Sequence, residues 1–538
     1  MKGIHGVIFP DKSPVLHYAA GNTKFIQENV CRETDDYLVH FDGVLLSHAK
    51  PQRENERFDL LIGLYEQHGG AMAAQLRGRF QLVIWDKRNG RVLVTNDLLS
   101  RRPMYGCIRQ GALYYASSYY DLLDLLAGEA DGCAKLNMDA VREMIARGSL
   151  AGTKTYVQDV FFLAPGEALV CDGAVRRISC MPAPQEAPKD LEQAIERFDR
   201  LFEQAVRAQF HKNEEYGCRQ FVSISGGMDS RACLLMAARC ALTENAVCIS
   251  YAQSGSVDHQ VSQQLAFDHD LDYLFYPMDA AVFMKRFDHA MDRNECQQSC
   301  VGSTGAAAMA GLLNTQNAGI IHAGLCGGEL MGDLVECHPR GGLVRRVLQR
   351  LGLADVSAGE CRTDAQAYWD NVRACQNFSQ MFLSECETFS PFLHEDVALF
   401  VCALKPEWLY RRAFYRRWMI RCIPNDYPTT MFCGPVNISP LRELVRKMAD
   451  RLVRKAAGVT RRDMNPIELW LKTRPEAAKA CEMAYLNGMA QLKRRQMPET
   501  VLGELESSWR RGGECRLYTL TAVRALCDVL SRFSNFEI

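Results

Sequence analysis

One stretch narrows the folds open to this chain more than any other: FVSISGGMDSRACLL, residues 221–235. A mainly apolar strand ends at Ile224, Ser225 and two glycines follow, and a helical pattern begins near Asp229. That order reads as a buried strand turning directly into a helix. The surroundings repeat the unit. LEQAIERFDRLFEQAVRAQF, from Leu191, has the period of an amphipathic helix, and NAVCISYAQ (245–253) reads as a second strand. DHQVSQQLAFDHDLD (258–272) reads as a further helix, and AGIIHAGLCGGE (318–329) as a strand running into a glycine loop. Strands that are apolar on both faces and alternate with helices predict a parallel sheet covered on both sides.

A chain of 538 residues exceeds one ordinary core. Its first 180 residues have a different style. FQLVIWD (80–86) and RVLVTND (91–97) flank KRNG, a strong hairpin signal. ALYYASS (112–118) and GEALVCDGAVRRIS (166–179) continue the strands and turns, with a helical MDAVREMIARG (138–148) between them. MPAPQEAPKD (181–190) has the proline content of a linker, and the chain beyond about residue 340 is mostly helical. The division expected is therefore 1–180, a linker at 181–190, an α/β domain over 191–440 and a helical extension over 441–538.

Composition removes several classes. A formal net charge of −1 offers no electrostatic footprint for nucleic acid or an anionic membrane. No apolar run approaches the ~18 to 20 residues that span a bilayer, and MKGIHGVIFPDKSP is not a signal peptide. The 22 cysteines, Cys107, Cys171, Cys233, Cys248, Cys326 and Cys402 among them, show no C-x-x-C pair and no zinc spacing. They are expected to be reduced, apolar fillers of a cytosolic protein, with no metal cluster and no internal repeat.

The chemistry of the 221–235 stretch is that of an anion site. Gly226 and Gly227 let the backbone approach an anion closely, the amides of the helix start attract phosphate, and Ser225 and Ser230 add hydroxyl donors. Asp229 beside a phosphate calls for Mg²⁺ between them; otherwise it is a simple helix cap. The Walker lysine is absent, which excludes a kinase-type P-loop.

S-G-G-M-D-S resembles the pyrophosphatase-type (PP-loop) motif of enzymes that cleave ATP to AMP and pyrophosphate. The first half narrows the choice. MKGIHG is similar to the M-C-G-I-x-G start of the glutaminase domain of asparagine synthetases, and LRGRFQLVIWD, NDLLSRRPMYG, LYYASS and LAPGEALV resemble its later segments. ETFSPFLHEDVALF (387–400) is similar to the E-x-R-x-P-F-L-D segment of the synthetase half. The resemblance runs through residues 1 to about 430. It implies an α/β multidomain chain: an Ntn-type αββα sandwich, a parallel-sheet PP-loop domain of the adenine nucleotide α-hydrolase kind, and a helical C-terminal extension. It also implies ATP and Mg²⁺. Ser223, Ser225, Gly226, Gly227, Asp229, Ser230, Ile249, Ser250 and Gly324 would hold the nucleotide, and Asp229 and Glu329 would be the catalytic, metal-binding carboxylates. Asp258 would point toward the site, and His259 and His322 stand near loop ends, open to acid–base or merely structural roles.

Departures from that pattern are as informative. The catalytic cysteine is Lys2, and the glutamine-binding N-G-E reads Asp42-Gly43-Val44. An amine does not replace a thiolate attacking an unactivated amide, so the first domain is expected to be a scaffold or dock. In the second half Leu325 takes the place of the acidic base and Gly328 that of the second Mg²⁺ aspartate. Glu329 is retained and Asp333 lies near, but each also fits a structural carboxylate. No Lys or Arg follows RCIPNDYP until Arg442, where the family has a basic stretch; Arg416, Arg417 and Arg421 precede it. The expectation is an amide-forming ligase whose amine comes from a source other than glutamine, as in β-lactam synthetases and lasso peptide cyclases. Its substrate would be a small-molecule or peptide carboxylate, in the latter case a precursor peptide with leader-binding and protease partners. The alternative is a degenerate relative that binds nucleotide or a partner protein. A tRNA-modifying role is disfavoured by the near-neutral charge and the missing C-x-x-C.

Overall fold

A computed structural model describes residues 3–19, 26, 28–53, 55–129, 132–183, 185–314, 317–337, 361–382, 386–423, 445, 448 and 464–538. Lys2, Arg442 and the segment 429–439 lie outside the described residues.

Two antiparallel sheets build the first 180 residues. One has the order β10-β7-β8-β1-β2, from β1 (Gly3–Ile8), β2 (Val15–Ala19), β7 (Tyr105–Arg109), β8 (Ala112–Ala116) and β10 (Val160–Phe162). The other has the order β12-β11-β6-β5-β4-β3, from β3 (Val30–Glu33), β4 (Tyr37–Leu45), β5 (Gly78–Asp86), β6 (Arg91–Asn96), β11 (Glu167–Cys171) and β12 (Val175–Ser179). Strand alternation sorts the side chains. Leu113 and Tyr115 of β8 meet Val83, Val92 and Val94 between the sheets. Tyr114 and Ala116 face outward onto α2 (Tyr119–Ala127) and α3 (Met138–Arg147). On the opposite outer face Leu82, Ile84 and Leu93 pack under α1 (Glu56–His68). The result is helix–sheet–sheet–helix layering. Both faces of β5 are buried, which is why LVIW (82–85) within it is continuously apolar. The expected hairpin is present, Asp86 opposite Arg91, with Gly90 at φ 61° closing its turn.

From α4 (Leu191–Glu215) the architecture changes. Asp190 caps this helix by accepting the Gln193 amide at 2.8 Å. Ile195, Phe198, Phe202, Val206 and Phe210, at helical spacing, form its buried stripe. β13 (Arg219–Ser223), β14 (Val247–Ala252), β15 (Asp272–Pro277), β16 (Ala318–His322) and β19 (Glu387–Phe389) make a wholly parallel sheet ordered β15-β14-β13-β16-β19. Val222 and Cys248 face the helices α4, α5 (Met228–Arg239) and α6 (Val257–Asp268). Phe221, Val247 and Ile249 face α7 (Ala280–Asn294) and α8 (Thr304–Ala310). Beyond a short pair β17 (Val335–Cys337) and β18 (Cys361–Thr363) come α9 (Ala365–Phe382), α10 (Glu395–Cys402), α11 (Pro406–Leu409) and α12 (Ala413–Cys422).

The last helices are not an appendage. α13 (Ile467–Thr473), α14 (Pro475–Arg494), α15 (Glu499–Arg510) and α16 (Glu514–Arg532) share one core with α2, α3, α7 and α8. The final strand β20 (Asn535–Glu537) pairs in parallel with β9 (Cys133–Lys135). Polar contacts also tie the halves together. Glu387 receives Arg102 at 2.5 Å and Arg79 at 3.4 Å, and Arg102 also meets Asp42 at 2.7 Å. Arg101 joins Asp97 at 2.9 Å and pairs with Glu395. Burial lowers the Arg79 guanidinium to about 10, with Glu387 the main opposing influence. Asp42, in the segment that the resemblance assigns to glutamine binding, thus serves as a partner for a buried arginine.

The cysteines correct one expectation. Cys326–Cys375 and Cys337–Cys361 are disulfides, with Cα atoms 6.7 and 4.0 Å apart, while the other described cysteines form none. The expectation that the cysteines are all reduced fails at these four. No helix among the described residues is long and apolar enough to cross a membrane.

Candidate functional site

In the parallel sheet the chain runs from β13 outward through β14 to β15, then returns to the other side of β13 with β16. Strand order therefore reverses between β13 and β16, and the loops leaving their C-terminal ends part to form a crevice. Residues 224–227 line one side and residues 323–328 the other.

The first loop is held by its own serines. Ser225 Oγ and Ser230 Oγ lie 3.0 Å apart, the Ser225 amide donates to Ser230 Oγ, and the Gly227 amide donates to Ser225 Oγ, both at 3.1 Å. Ser223 ends β13, half-buried beneath them. Gly227 is the N-cap of α5 and supplies no side-chain cap, so the amides of the first turn stay open to an anion. The Gly226 amide donates to Asp258 Oδ1 at 3.0 Å, which brings Asp258 to the loop as expected.

Asp229 does not cap its own helix. Its Oδ2 accepts the Gly328 amide from the opposite loop at 2.9 Å, and its buried Oδ1 has no hydrogen-bond partner. Burial pushes this carboxyl up to about 6; Arg412, the Tyr415 phenol and the Gly328 amide oppose the rise, and Glu329 adds to it. The two loops touch closely here. A Cβ on Gly324 would lie 2.5 Å from the Ser230 amide nitrogen, and one on Gly327 2.5 Å from Asp229 Cγ. Only glycines allow that approach. Glu329 opens a wide helical turn, Glu329–Asp333, of π type, a form frequent at functional sites. It is half-buried, and its carboxylate faces that of Asp229 across an electrostatic repulsion.

Other expected residues fall elsewhere. The Ile249 carbonyl is used by the Ile224 amide at 3.0 Å, and Ser250 is buried, accepting from Ser262 at 3.2 Å. Both lie in β14. His322 is fully buried; its ring stacks on Phe210 at 3.7 Å, and Nε2 lies 2.7 Å from Gln220 Oε1. Burial lowers its pKa to about 3, which favours the neutral ring. His259 stacks on Phe275 at 3.9 Å and accepts the Gly255 amide at 3.0 Å. Arg421 pairs with Glu192 and Glu196 of α4, and Arg417 is exposed. The arginine whose charge acts on Asp229 is Arg412, itself paired with Asp333, and the Tyr415 phenol also acts on Asp229. Periodicity offered no hint of either, since both sit in a run of arginines and aromatics that reads as an ordinary helix face.

The open oxygen of Asp229 and the facing carboxylate of Glu329 are hard oxygen donors suited to Mg²⁺. Among the described residues no group of three or more His, Cys, Asp or Glu side chains could hold a metal ion. A divalent ion here would need oxygens from a phosphate as well, the usual habit of Mg²⁺. Beyond Leu325 lies a cavity of about 340 Å³ between the two halves, the size range of small-ligand pockets. Arg147, Gln298, Ser299, Phe378 and Tyr518 line it, and Arg147 has no acidic partner among the described residues.

Comparison with known proteins supports the first half. Residues 48–179 match the family described as glutamine amidotransferase domain, so the chain carries an amidotransferase-type domain there. No curated protein matches the chain. Among solved structures, the allosteric regulatory enzyme of purine biosynthesis shares 10% identity over 51% of this chain and 75% of its own, at a TM-score of 0.21. Glutamine phosphoribosylpyrophosphate amidotransferase from B. subtilis, complexed with ADP and GMP, shares 12% over 42% of this chain and 49% of its own, at a TM-score of 0.19. Scores this low carry no argument about the fold. The family match does not reach Lys2 or Asp42.

Proposed function

We propose that this chain is an ATP-dependent, AMP-forming ligase of the PP-loop kind, joining a carboxylate to an amine not taken from glutamine. Closure of a lasso-type peptide ring is the preferred case. The observation that carries this reading is the convergence at one sheet crevice of an uncapped α5 N-terminus and the unpartnered Asp229 oxygen.

In this reading the loop amides, Ser225 and Ser230 would hold the phosphates, and Asp229 and Glu329 would hold Mg²⁺, which when bound would supply neutralisation of phosphate charge. The substrate carboxylate attacks the α-phosphorus and pyrophosphate leaves. The amine then attacks the acyl carbon, the C–O bond to AMP breaks, and the amine proton passes to solvent or AMP, because Leu325 has no group to accept it. Catalysis rests on positioning and charge neutralisation. The cavity beyond Leu325, with Arg147 to attract a carboxylate, suits a peptide segment better than a bare ammonia acceptor.

The test is calorimetry with Mg-ATP, followed by ATP–pyrophosphate exchange with candidate peptides. Micromolar, Mg²⁺-dependent binding with peptide-stimulated exchange supports the ligase. A second reading, a nucleotide-binding relative without turnover, is favoured by Asp258 already occupying the Gly226 amide. Binding without exchange for any carboxylate selects it, and absence of binding removes both.

A further inference from the structure

The oddest departure in the second loop is Gly328, where the resembled family has its second metal-binding aspartate. In the structure a cation stands beside this glycine. A Cβ built on Gly328 would collide with the Arg412 guanidinium and would lie 2.6 Å from Asp333 Oδ2. The space that a side chain at 328 needs is already filled by a cation.

Arg412 is placed there at a cost. Arg411 and Arg412 both adopt left-handed backbone, at φ 55° and 59°, immediately before α12. Two successive non-glycine residues in that region are uncommon, and such strain collects at functional sites. The wide turn Glu329–Asp333 packs tightly on this strained corner: a Cβ on Gly332 would collide with the Leu409 carbonyl. The guanidinium is then fixed on both sides. Its Nε donates to Asp333 Oδ1 at 2.6 Å, a second nitrogen pairs with Asp333 Oδ2, and Asp229 draws it electrostatically. Its side chain remains about one-third exposed, at 31%, so it can still reach a ligand.

We propose that Arg412 takes the place of a second divalent cation, its guanidinium neutralising the β- and γ-phosphates of the nucleotide while one Mg²⁺ is held at Asp229. This rests on the reading that ATP binds the crevice. A planar fork of donors suits phosphate oxygens, and its charge does not depend on free metal. Asp333 holds the guanidinium in readiness until phosphate oxygens compete for it.

The experiment is calorimetry of the full-length protein with Mg-ATP, Mg-pyrophosphate and AMP, for wild type, Arg412→Ala, Arg412→Lys and Asp333→Asn. Arg412→Ala is expected to weaken ATP and pyrophosphate by tenfold or more and AMP by less than twofold. Arg412→Lys should fall between, and Asp333→Asn should bind ATP as tightly as wild type or tighter. The double variant Gly328→Asp/Arg412→Ala should regain ATP affinity only at raised free Mg²⁺. If Arg412→Ala binds ATP like wild type, loses AMP equally, or is matched by Asp333→Asn, Arg412 is a structural ion pair and the inference is overturned. If wild type binds no nucleotide, the underlying ATP reading fails instead.

Discussion

Neutralising Glu387 should loosen the joint between the two halves. The carboxylate is 1% exposed and serves Arg102 at 2.5 Å and Arg79 at 3.4 Å. Glu387→Gln keeps its shape and removes its charge. Arg102 retains Asp42, but Arg79 keeps only neutral partners, the Arg101 carbonyl and Gln376. Two unit charges about 4 Å apart, at an effective dielectric of about 20, attract by about 4 kcal/mol. Breaking one member of a buried pair is measured at about 3–5 kcal/mol, because it strands the partner. The variant is therefore expected to lose about 3–4 kcal/mol, a large part of the ~5–15 kcal/mol that stabilises a domain. Asp42→Asn, whose side chain is 16% exposed, should cost less, about 1–2 kcal/mol. Urea titration followed by circular dichroism measures both. Arg79→Met/Glu387→Gln removes the stranded cation and should be more stable than Glu387→Gln alone. A Glu387→Gln midpoint within about 1 kcal/mol of wild type, or a double variant worse than the single, would refute the reasoning.

Further outcomes follow from the site and core. Asp229→Asn should abolish Mg²⁺-dependent ATP binding, because the open oxygen becomes neutral; calorimetry at matched Mg²⁺ checks it, and retained binding would rule Asp229 out as metal ligand. His322, held near 3 by burial against an ordinary value of 6.5, makes the unfolded chain bind more protons between those limits, so its contribution is lost as pH falls below 6.5. His322→Gln should then lose less stability than wild type between pH 6.5 and 4, read from urea midpoints; parallel curves would contradict this. Cys375→Ser opens a 49-residue covalent loop and should lower the stability of the oxidised protein by about 2–4 kcal/mol. Labelling of Cys326 by iodoacetamide in unreduced wild type would show the bond to be absent.

Local physics wrote much of this molecule directly into its sequence. Period-2 and period-3.6 apolar patterns gave the hairpin at 87–90, the helix from Leu191 and the strand–glycine–helix turn at 223–229, because each is settled by neighbours in the chain. Asp229 was legible for the same reason: a carboxylate in the first turn of a helix, just after two glycines, needs a partner. What its partners are was decided only by folding. Arg412 lies 183 residues away in sequence from Asp229 and is brought within its electrostatic range by a left-handed corner that no periodicity announces. Gly328 read as a loss until the guanidinium beside it was placed, and Asp42 as a missing ligand until Arg102 met it. His322 and Ser250 looked available as chain neighbours of a loop, yet packing buried both. Cysteine spacing likewise gave no sign of the two disulfides, since bonding depends on Cα atoms brought together across 49 and 24 residues. Elements and their caps depend on short-range forces that sequence displays, whereas burial and charge pairing depend on distances that exist only once the sheets and helices have packed.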